Sequence, residues 1–305
     1  MADTPPPLPL NTRFDPQTGQ LVEVAPGIGR VTASNSGPYT FTGTNSFLIG
    51  TEQVAVLDPG PDDPHHMAAL RTAIAGRPVT AILLTHTHRD HSASATRLKN
   101  ETGAPLWFGG PHRLSRPRRL FEPNTLAGAC DWGLKPDRTL RDGDTVEING
   151  VAMTAVTTPG HCANHLCFAV NGNELLLSGD HVMGWNSTLV AVPDGSMADY
   201  LQSLRKVIAL PKARYVPAHG GPIQDGPTFA RALLSHRELR NRQVVDGVNG
   251  GARTIDDLLR KIYPLLAANL KFAAALTLRA HVEYLAQAGE IRMHGGVFRT
   301  RLSPA

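Results

Sequence analysis

The apolar run of residues 81–84 is followed at once by Thr85-His86-Thr87-His88-Arg89-Asp90-His91. On an extended turn, residues two apart project to the same side, so His86 and His88 can bind one cation. Asp90 and His91 lie beyond the bend, where they can bind a second cation. Helical zinc motifs place their histidines four residues apart, so this closer spacing predicts a loop that follows a strand.

Four more apolar segments end in a histidine or an aspartate. The side chains that follow them are Asp58, His161, Asp180 and His219. In an α/β sheet, functional residues gather just beyond the carboxyl ends of the strands, so side chains from five segments can meet in one place. Sites built from His and Asp favour catalysis over a purely structural role. The neighbouring Cys162 has no CxxC partner and is interpreted as a packing residue.

Strand-like and helix-like segments are mixed through the first 225 residues, which predicts an α/β fold. Short β-branched or unbroken apolar runs predict strands at Gln53–Leu57, Val79–Leu84, Val151–Thr157, Leu166–Val170 and Glu174–Leu177. Apolar residues at helical spacing predict helices near residues 67–74 and 200–208. Ser196 and Asp199 have the spacing of a capping box that opens the second helix.

The last 80 residues have a different pattern. Residues 229–245 predict a long connecting helix, Thr254 is expected to cap a short helix, and a third helix runs from Lys271 to Gln287. Two short strands, at 290–293 and 297–301, flank the turn His294-Gly295-Gly296. This order is typical of a winged helix-turn-helix domain. We therefore expect a catalytic domain over residues 1–225 and a winged-helix domain over residues 226–305.

The composition is that of an ordinary globular protein, with 41% hydrophobic and 18% charged residues. No apolar run reaches the roughly 18 residues of a membrane span, so we expect no membrane partner. Three cysteines and no secretory signal predict a cytoplasmic location. From Gly226 onward, twelve Lys and Arg residues stand against six acidic residues. This excess suggests an anionic partner, although a solvated helical surface explains it equally well.

The motifs described above resemble those of the metallo-β-lactamase superfamily of hydrolases. The matching segments are the histidine-rich stretch, Pro-Gly-His161, Ser-Gly-Asp180 and Ala-His219-Gly. The resemblance implies an αββα sandwich with two divalent metal ions at its edge, for which Zn²⁺ is favoured. It assigns His86, His88 and His161 to one ion, Asp90, His91 and His219 to the other, and Asp180 to a bridge. It also implies that Asp58 orients a ligand histidine. Asp58 and Asp90 are thus the expected catalytic residues.

A longer resemblance, to the lactamase-β-like protein 2 group, covers nearly the whole chain. It rests on Asn45-Ser-Phe-Leu-Ile-Gly, Gly179-Asp-His-Val-Met-Gly, Pro193-Asp-Gly-Ser-Met-Ala-Asp-Tyr-Leu, Ser235-His-Arg-Glu-Leu-Arg and the tail from Thr254. It implies single-strand RNA cleavage, in which a metal-bound hydroxide attacks a phosphodiester. We expect Asp90 to orient the hydroxide and pass a proton to the leaving group. The expected partners are RNA or another anionic substrate and a second copy of the chain.

An alternative is a small-molecule ester, thioester or lactone hydrolase that uses the same two ions on a carbonyl carbon. Aromatic residues make up 6% of the chain, and no aromatic platform for single-stranded RNA is visible. A non-catalytic nucleic-acid-binding protein is a third class, disfavoured because every ligand position is filled. The basic stretch of residues 112–119 could guide a phosphate backbone or simply be a solvated loop. His165 and His181 could touch substrate, whereas His112 has no ligand-like neighbours in sequence.

Overall fold

The computed structural model describes residues 8–296 and 300–305. The strands are β1 (Leu21–Ala25), β2 (Ile28–Thr32), β3 (Asn45–Ile49), β4 (Val54–Leu57), β5 (Val79–Leu83), β6 (Leu106–Phe108), β7 (Arg138–Thr139), β8 (Thr145–Ile148), β9 (Val151–Thr157), β10 (Leu166–Val170), β11 (Leu175–Gly179), β12 (Arg214–Pro217), β13 (Ile291–His294) and β14 (Arg301–Pro304). The helices are α1 (Pro64–Ile74), α2 (Arg89–Ser92), α3 (Ala95–Thr102), α4 (Met197–Ile208), α5 (Gly226–Asn249), α6 (Ile255–Ile262) and α7 (Lys271–Gln287).

Two β-sheets pack face to face and form the body of the described chain. One sheet has the order β1-β2-β3-β4-β5-β6-β7, and the other has the order β12-β11-β10-β9-β8. Strands β4 to β7 pair in parallel, as do β11 and β12. Phe47 and Leu83 of the first sheet share one buried cluster with Phe168 and Leu177 of the second. That cluster is the central core of the molecule.

Helices cover the outer face of each sheet. Met67 and Leu70 of α1 pack on the first sheet, and Tyr200 of α4 and Phe229 of α5 pack on the second. Strands β4 and β5 are buried on both faces, which explains their unbroken apolar sequences. The layers therefore follow the order helix, sheet, sheet, helix, and the predicted αββα sandwich is confirmed.

The predicted strands lie close to the observed ones. The predictions for β9 and β10 match at both ends, and those for β4, β5 and β11 differ by one or two residues. The capping interaction of α4 is also present, because the Asp199 backbone N–H donates to Ser196 Oγ at 3.2 Å. Cys130, Cys162 and Cys167 are buried free thiols, as the sparse cysteine content suggested.

The C-terminal segment forms a small core of its own. Val244 and Val248 of α5 pack there with Leu258 of α6, Leu278 of α7 and Ile291 of β13. Helix α5 is longer than the predicted 229–245. It begins at Gly226, where the Asp225 side chain caps it by accepting from the Thr228 backbone N–H, and it continues to Asn249. The predicted strand 297–301 falls partly on residues 297–299, which lie outside the described residues, and β14 starts at Arg301.

Helix α5 contributes to two cores. Its first half packs through Phe229 and Leu233 against the second sheet, and its second half packs through Val244 and Val248 in the C-terminal core. The division at residues 225 and 226, and the winged-helix assignment, remain predictions. Within the described residues, no helix combines the length and the apolar character needed to cross a membrane.

Candidate metal centre

The seven predicted ligands meet at the edge of the sandwich, in the segments that follow the ends of four strands; Asp90 and His91 lie in the short helix α2 instead of the predicted loop. His86 and the residues after it follow β5, His161 follows β9, Asp180 follows β11 and His219 follows β12. All of them are buried except Asp90, whose side chain is 29% exposed. The structure therefore brings together side chains from distant segments of the sequence, as we expected.

Two glycines explain how the loops place their ligands. Gly160 has φ +142°, and a Cβ at this position would collide with the backbone of Tyr200 in α4. Gly179 has φ +52°, and a Cβ there would lie 2.6 Å from His165 Nε2. A larger residue at either position would push His161 or Asp180 away from its place.

Three histidines form the first cluster of the site. His86 Nε2 lies 3.0 Å from His88 Nδ1, and His161 Nε2 lies 2.9 Å from the same atom. The three ring nitrogens are within 4.8 Å of one another, a spacing suited to one shared cation. The structure therefore brings these three predicted side chains together.

Asp90, His91 and His219 form the second cluster. Asp90 Oδ2 lies 3.4 Å from His91 Nε2 and 3.3 Å from His219 Nε2. Asp180 stands between the clusters, with Oδ1 3.3 Å from His219 Nε2 and Oδ2 3.5 Å from His161 Nε2. One carboxylate oxygen of Asp180 therefore faces each cluster.

Outer hydrogen bonds fix the tautomers of the histidines. Carboxylates and carbonyls only accept hydrogen bonds, so each ring nitrogen that contacts one carries the proton. His91 Nδ1 donates to Asp58 Oδ2 at 3.0 Å, His161 Nδ1 to the Leu189 carbonyl at 2.7 Å, and His219 Nδ1 to the Gly43 carbonyl at 3.3 Å. The Nε2 atoms of these three rings point into the clusters. That of His161 keeps its lone pair, whereas those of His91 and His219 lie beside the carboxylates of Asp90 and Asp180.

The same reasoning applies to the two remaining histidines. His88 Nε2 donates to Asp194 Oδ2 at 3.0 Å, which leaves its Nδ1 lone pair facing the first cluster. Thr85 donates its hydroxyl proton to Asp58 Oδ2 at 2.7 Å, so its oxygen accepts from His86 Nδ1 at 3.0 Å. His86 Nε2 is then unprotonated as well.

This arrangement fits divalent cations. Lone pairs about 3 Å apart repel each other unless a proton or a cation lies between them. Two buried atoms of the site, His91 Nε2 and Asp180 Oδ1, have no aligned hydrogen-bond partner. Five imidazole nitrogens and two carboxylates form a donor set that suits zinc and other first-row transition metals. The side chains present therefore fit a metal pair.

The pKa values differ between the two clusters. Burial, reinforced by neighbouring His88, lowers the pKa of His161 to about 4. Burial alone would also lower the pKa of His219, but the carboxylates of Asp180 and Asp90 outweigh it and raise the pKa to about 9. The His161 imidazole of the first cluster is therefore neutral near pH 7, whereas a cation beside His219 must displace a proton held between imidazole and carboxylate.

Asp58 lies behind the clusters. It is fully buried and accepts from the Thr85 backbone N–H at 2.7 Å, in addition to Thr85 Oγ1 and His91 Nδ1. It reaches His86 only through the Thr85 hydroxyl. Its position suits the orienting role expected for it, since it fixes the tautomers of two rings.

Asp194 and His112 form a second supporting group that the sequence did not indicate. Asp194 Oδ1 lies 2.8 Å from His112 Nε2, and His112 Nδ1 lies 2.9 Å from Thr87 Oγ1. The 2.8 Å contact is close but not aligned as a hydrogen bond, so we regard it as an electrostatic contact. The expectation that His112 lacks ligand-like neighbours is therefore wrong. The missed signal was Asp194, in the Pro193-Asp194-Gly195 turn.

His165 and His181 are buried next to the candidate site. His165 Nε2 accepts from the Asp180 backbone N–H at 3.0 Å, and its Nδ1 lies 2.8 Å from Thr158 Oγ1. His181 is fully buried against Tyr200. His165 supports the loop that carries Asp180, and neither ring is available to a ligand.

The basic loop of residues 112–119 is held by ion pairs. Arg116 contacts Glu122 at 2.6 Å and Glu283 of α7 at 2.8 Å. Arg113 donates to backbone carbonyls, and Arg118 donates to the carbonyl of Glu122. These arginines fasten the loop to its neighbours, so they are poorly suited to guiding a phosphate backbone.

The αββα sandwich and the two His/Asp clusters at one edge of it are features of a metallohydrolase. Residues 39–219 match the family model "Metallo-beta-lactamase superfamily". The chain belongs to this superfamily, and it is an enzyme of the hydrolase type. Membership implies that it binds divalent metal ions.

Several known proteins are similar to this chain. "Lactamase-like protein vrtG" of Penicillium aethiopicum is 31% identical over 233 residues, which cover 75% of this chain and 68% of the relative. "Atrochrysone carboxyl ACP thioesterase" of Aspergillus fumigatus is 26% identical over 281 residues, covering 86% and 82%. A "Beta-lactamase domain protein" from Burkholderia ambifaria superposes with a TM-score of 0.78 at 23% identity over 95% of each chain. This last likeness concerns the fold alone.

Proposed function

We propose that this protein hydrolyses thioesters at a dinuclear metal centre. The observation that carries the proposal is the position of Asp180, with one oxygen toward each of two clusters of histidine ring nitrogens. The substrate class is supported by the similarity to a protein named as an acyl carrier protein thioesterase, which spans 86% of this chain. The proposal thus favours the alternative function class over RNA cleavage.

We assign His86, His88 and His161 to one ion and Asp90, His91 and His219 to the other, with Asp180 shared. Zinc suits a set of imidazoles and carboxylates, which favours it over the harder cations. When bound, such a metal pair polarises a carbonyl and lowers the pKa of water to near 7.

Asp90 is the residue we propose for proton transfer. It has the most exposed side chain of the seven ligands, and only its Oδ2 is close to His91 and His219. In the reaction, a water oxygen bonds to the carbonyl carbon and the carbon–sulfur bond breaks. Asp90 accepts a proton from the water and delivers it to the leaving sulfur, which gives a carboxylic acid and a thiol.

RNA cleavage has weaker support from the structure than thioester hydrolysis has. The loop at 112–119 uses its arginines in contacts to Glu122, Glu283 and backbone carbonyls. The positive excess after Gly226 is the remaining argument, and a solvated surface accounts for it. Membership of the lactamase-β-like protein 2 group, the homodimer and the cytoplasmic location remain predictions.

A substrate panel with metal analysis tests the proposal. Purified protein is expected to carry two equivalents of metal, to hydrolyse acyl thioesters, and to lose this activity with EDTA and regain it with zinc. Asp180→Asn should remove turnover and part of the metal. Asp137→Asn, which breaks a surface ion pair with Lys99, is the matched control and should behave as wild type. Cleavage of single-stranded RNA without thioester turnover would overturn the assignment.

A further inference from the structure

A cleft lies between the body of the sandwich and the C-terminal helices. Its volume is about 190 Å³, and its walls include Tyr39, Trp185, Leu189, Tyr263 and Leu266. Helices α5 and α7 contribute part of the remaining lining, and Ala274 of α7 adds a small side chain to it. We refer to it as the aromatic cleft.

The aromatic cleft adjoins the metal centre on two sides. The Leu189 carbonyl accepts from His161 Nδ1 at 2.7 Å, so one wall also supports a residue of the first cluster. The Trp185 ring packs against Gly220, the residue after His219. Phe41 stacks on Trp185 with ring centroids 4.9 Å apart. The wall residues and two of the candidate ligands are thus joined by direct contacts.

The lining of the cleft is mainly apolar, and it includes the charged side chain of Arg237. Burial, together with the nearby Arg237 and Arg240, lowers the pKa of His236 to about 4, so this lining residue is uncharged near pH 7. Arg237 donates to the Thr188 carbonyl. Arg240 lies over the Tyr263 ring at 4.3 Å from its centroid. The Nε atom of each guanidinium group has no aligned hydrogen-bond partner, but the aromatic and aliphatic side chains that make up most of the walls favour an apolar ligand.

We propose that the aromatic cleft binds the acyl group of the thioester and selects acyl groups of medium length. This inference rests on the proposed function and adds a substrate class to it. An apolar cavity of about 150 Å³ can bind benzene, so a volume of about 190 Å³ holds at least six atoms of methylene size. A hexanoyl chain or a single aromatic ring matches that space, while an acetyl group leaves most of it empty.

Filling the cleft tests the proposal. Ala274→Trp places a large ring in it, whereas Ala275→Trp alters the next residue of α7, which lines a different groove beside α6 and β14. Both alanines are half-buried, which makes the second variant a matched control. The substrates are hexanoyl and acetyl thioesters of N-acetylcysteamine, and the readout is the ratio of their kcat/KM values.

Wild type and Ala275→Trp are expected to prefer the hexanoyl thioester by about 100-fold, because four additional methylenes become buried. Ala274→Trp should lower this preference to below about tenfold. The kcat/KM for the hexanoyl thioester should fall, while that for the acetyl thioester should stay unchanged. Equal turnover of both substrates by wild type, or an unchanged preference in Ala274→Trp, would overturn the proposal.

A binding measurement separates this inference from the proposed function. Ketone analogues, in which CH₂ replaces the thioester sulfur, cannot be hydrolysed at that position. Tighter binding of the hexanoyl ketone than of the acetyl ketone to the zinc-loaded protein, lost in Ala274→Trp, would support the cleft even if no thioester were turned over. If thioesters are hydrolysed but both ketones bind equally, the cleft assignment alone fails.

Discussion

Asp194 provides the sharpest test of how the candidate metal centre is held. This side chain is fully buried, and its two oxygens contact His88 Nε2 at 3.0 Å and His112 Nε2 at 2.8 Å. Burial alone would raise its pKa, but the contacts with His112 and His88 outweigh burial and keep the pKa well below its ordinary value. Asp194 is therefore an anion that fixes the ring of His88.

The change Asp194→Asn keeps the shape of the side chain and removes its charge. The amide oxygen can still accept from His88 Nε2, so the fold should persist. A hydrogen bond to a charged acceptor contributes about 1.5–3 kcal/mol, against about 0.5–1.5 kcal/mol for a neutral one. The expected loss of about 1.4 kcal/mol corresponds to about tenfold weaker binding of the cation at the first cluster. This lies at the lower end of the 10–100-fold range measured for outer-shell partners of metal sites.

A competition titration against a chromophoric chelator measures this effect. It resolves two zinc dissociation constants, and only that of the His86–His88–His161 site should change. Asp137→Asn serves again as the surface control. Wild-type constants for both ions in Asp194→Asn, or an equal loss in the control, would refute the reasoning.

Three further predictions concern the supports of the site and the C-terminal region. Asp58→Asn should weaken the cation beside His91 by about 10–100-fold in the same titration, and an unchanged constant would limit Asp58 to bracing its loop. Removing metal with EDTA should lower the Tm by about 5–10 °C, and adding zinc should restore it. A cation present at 100 times its dissociation constant stabilises the folded state by about 2.7 kcal/mol per site. An unaltered Tm would contradict the fit of cations to these side chains. Burial would raise the pKa of Glu122, but hydrogen bonds from Arg116 and the Arg119 backbone lower it to about 2, so its contribution is present above its ordinary pKa and is lost as the pH falls through about 2. Glu122→Gln should therefore cost about 3 kcal/mol in urea unfolding near pH 7 and clearly less near pH 2.5, and a pH-independent difference would argue against this ion pair.

The fold and the convergence of the candidate ligands could be predicted because both depend on local patterns. Unbroken apolar runs end in Asp58, His161 and Asp180, and the geometry of a sheet brings such ends together. Some predicted strand ends differ from the observed ones by one or two residues, because the hydrogen bonds between strands determine where a strand ends and apolar character does not. The family model over residues 39–219 agrees with this reading of the motifs.

The supporting contacts could not be predicted because they join residues distant in sequence. His88 and Asp194 are separated by 106 positions, and no spacing rule connects a loop histidine with a turn aspartate. Arg116 looked like a free basic residue because its partner Glu283 lies 167 positions away on α7. The excess of basic residues after Gly226 suggested an anionic partner because a count of charges in the sequence does not show which of them form ion pairs.

The shared role of α5 has a consequence for how this enzyme can diverge. The ligands occupy loops anchored by two sheets, while the aromatic cleft borrows part of its lining from α5, α7 and the segment between α6 and α7. If the aromatic cleft binds the acyl group as proposed, substitutions in the C-terminal helices can change its lining without replacing any of the seven candidate ligands. The proposed chemistry and the proposed selectivity then depend on separate parts of one polypeptide, so a change of substrate leaves the reaction the same.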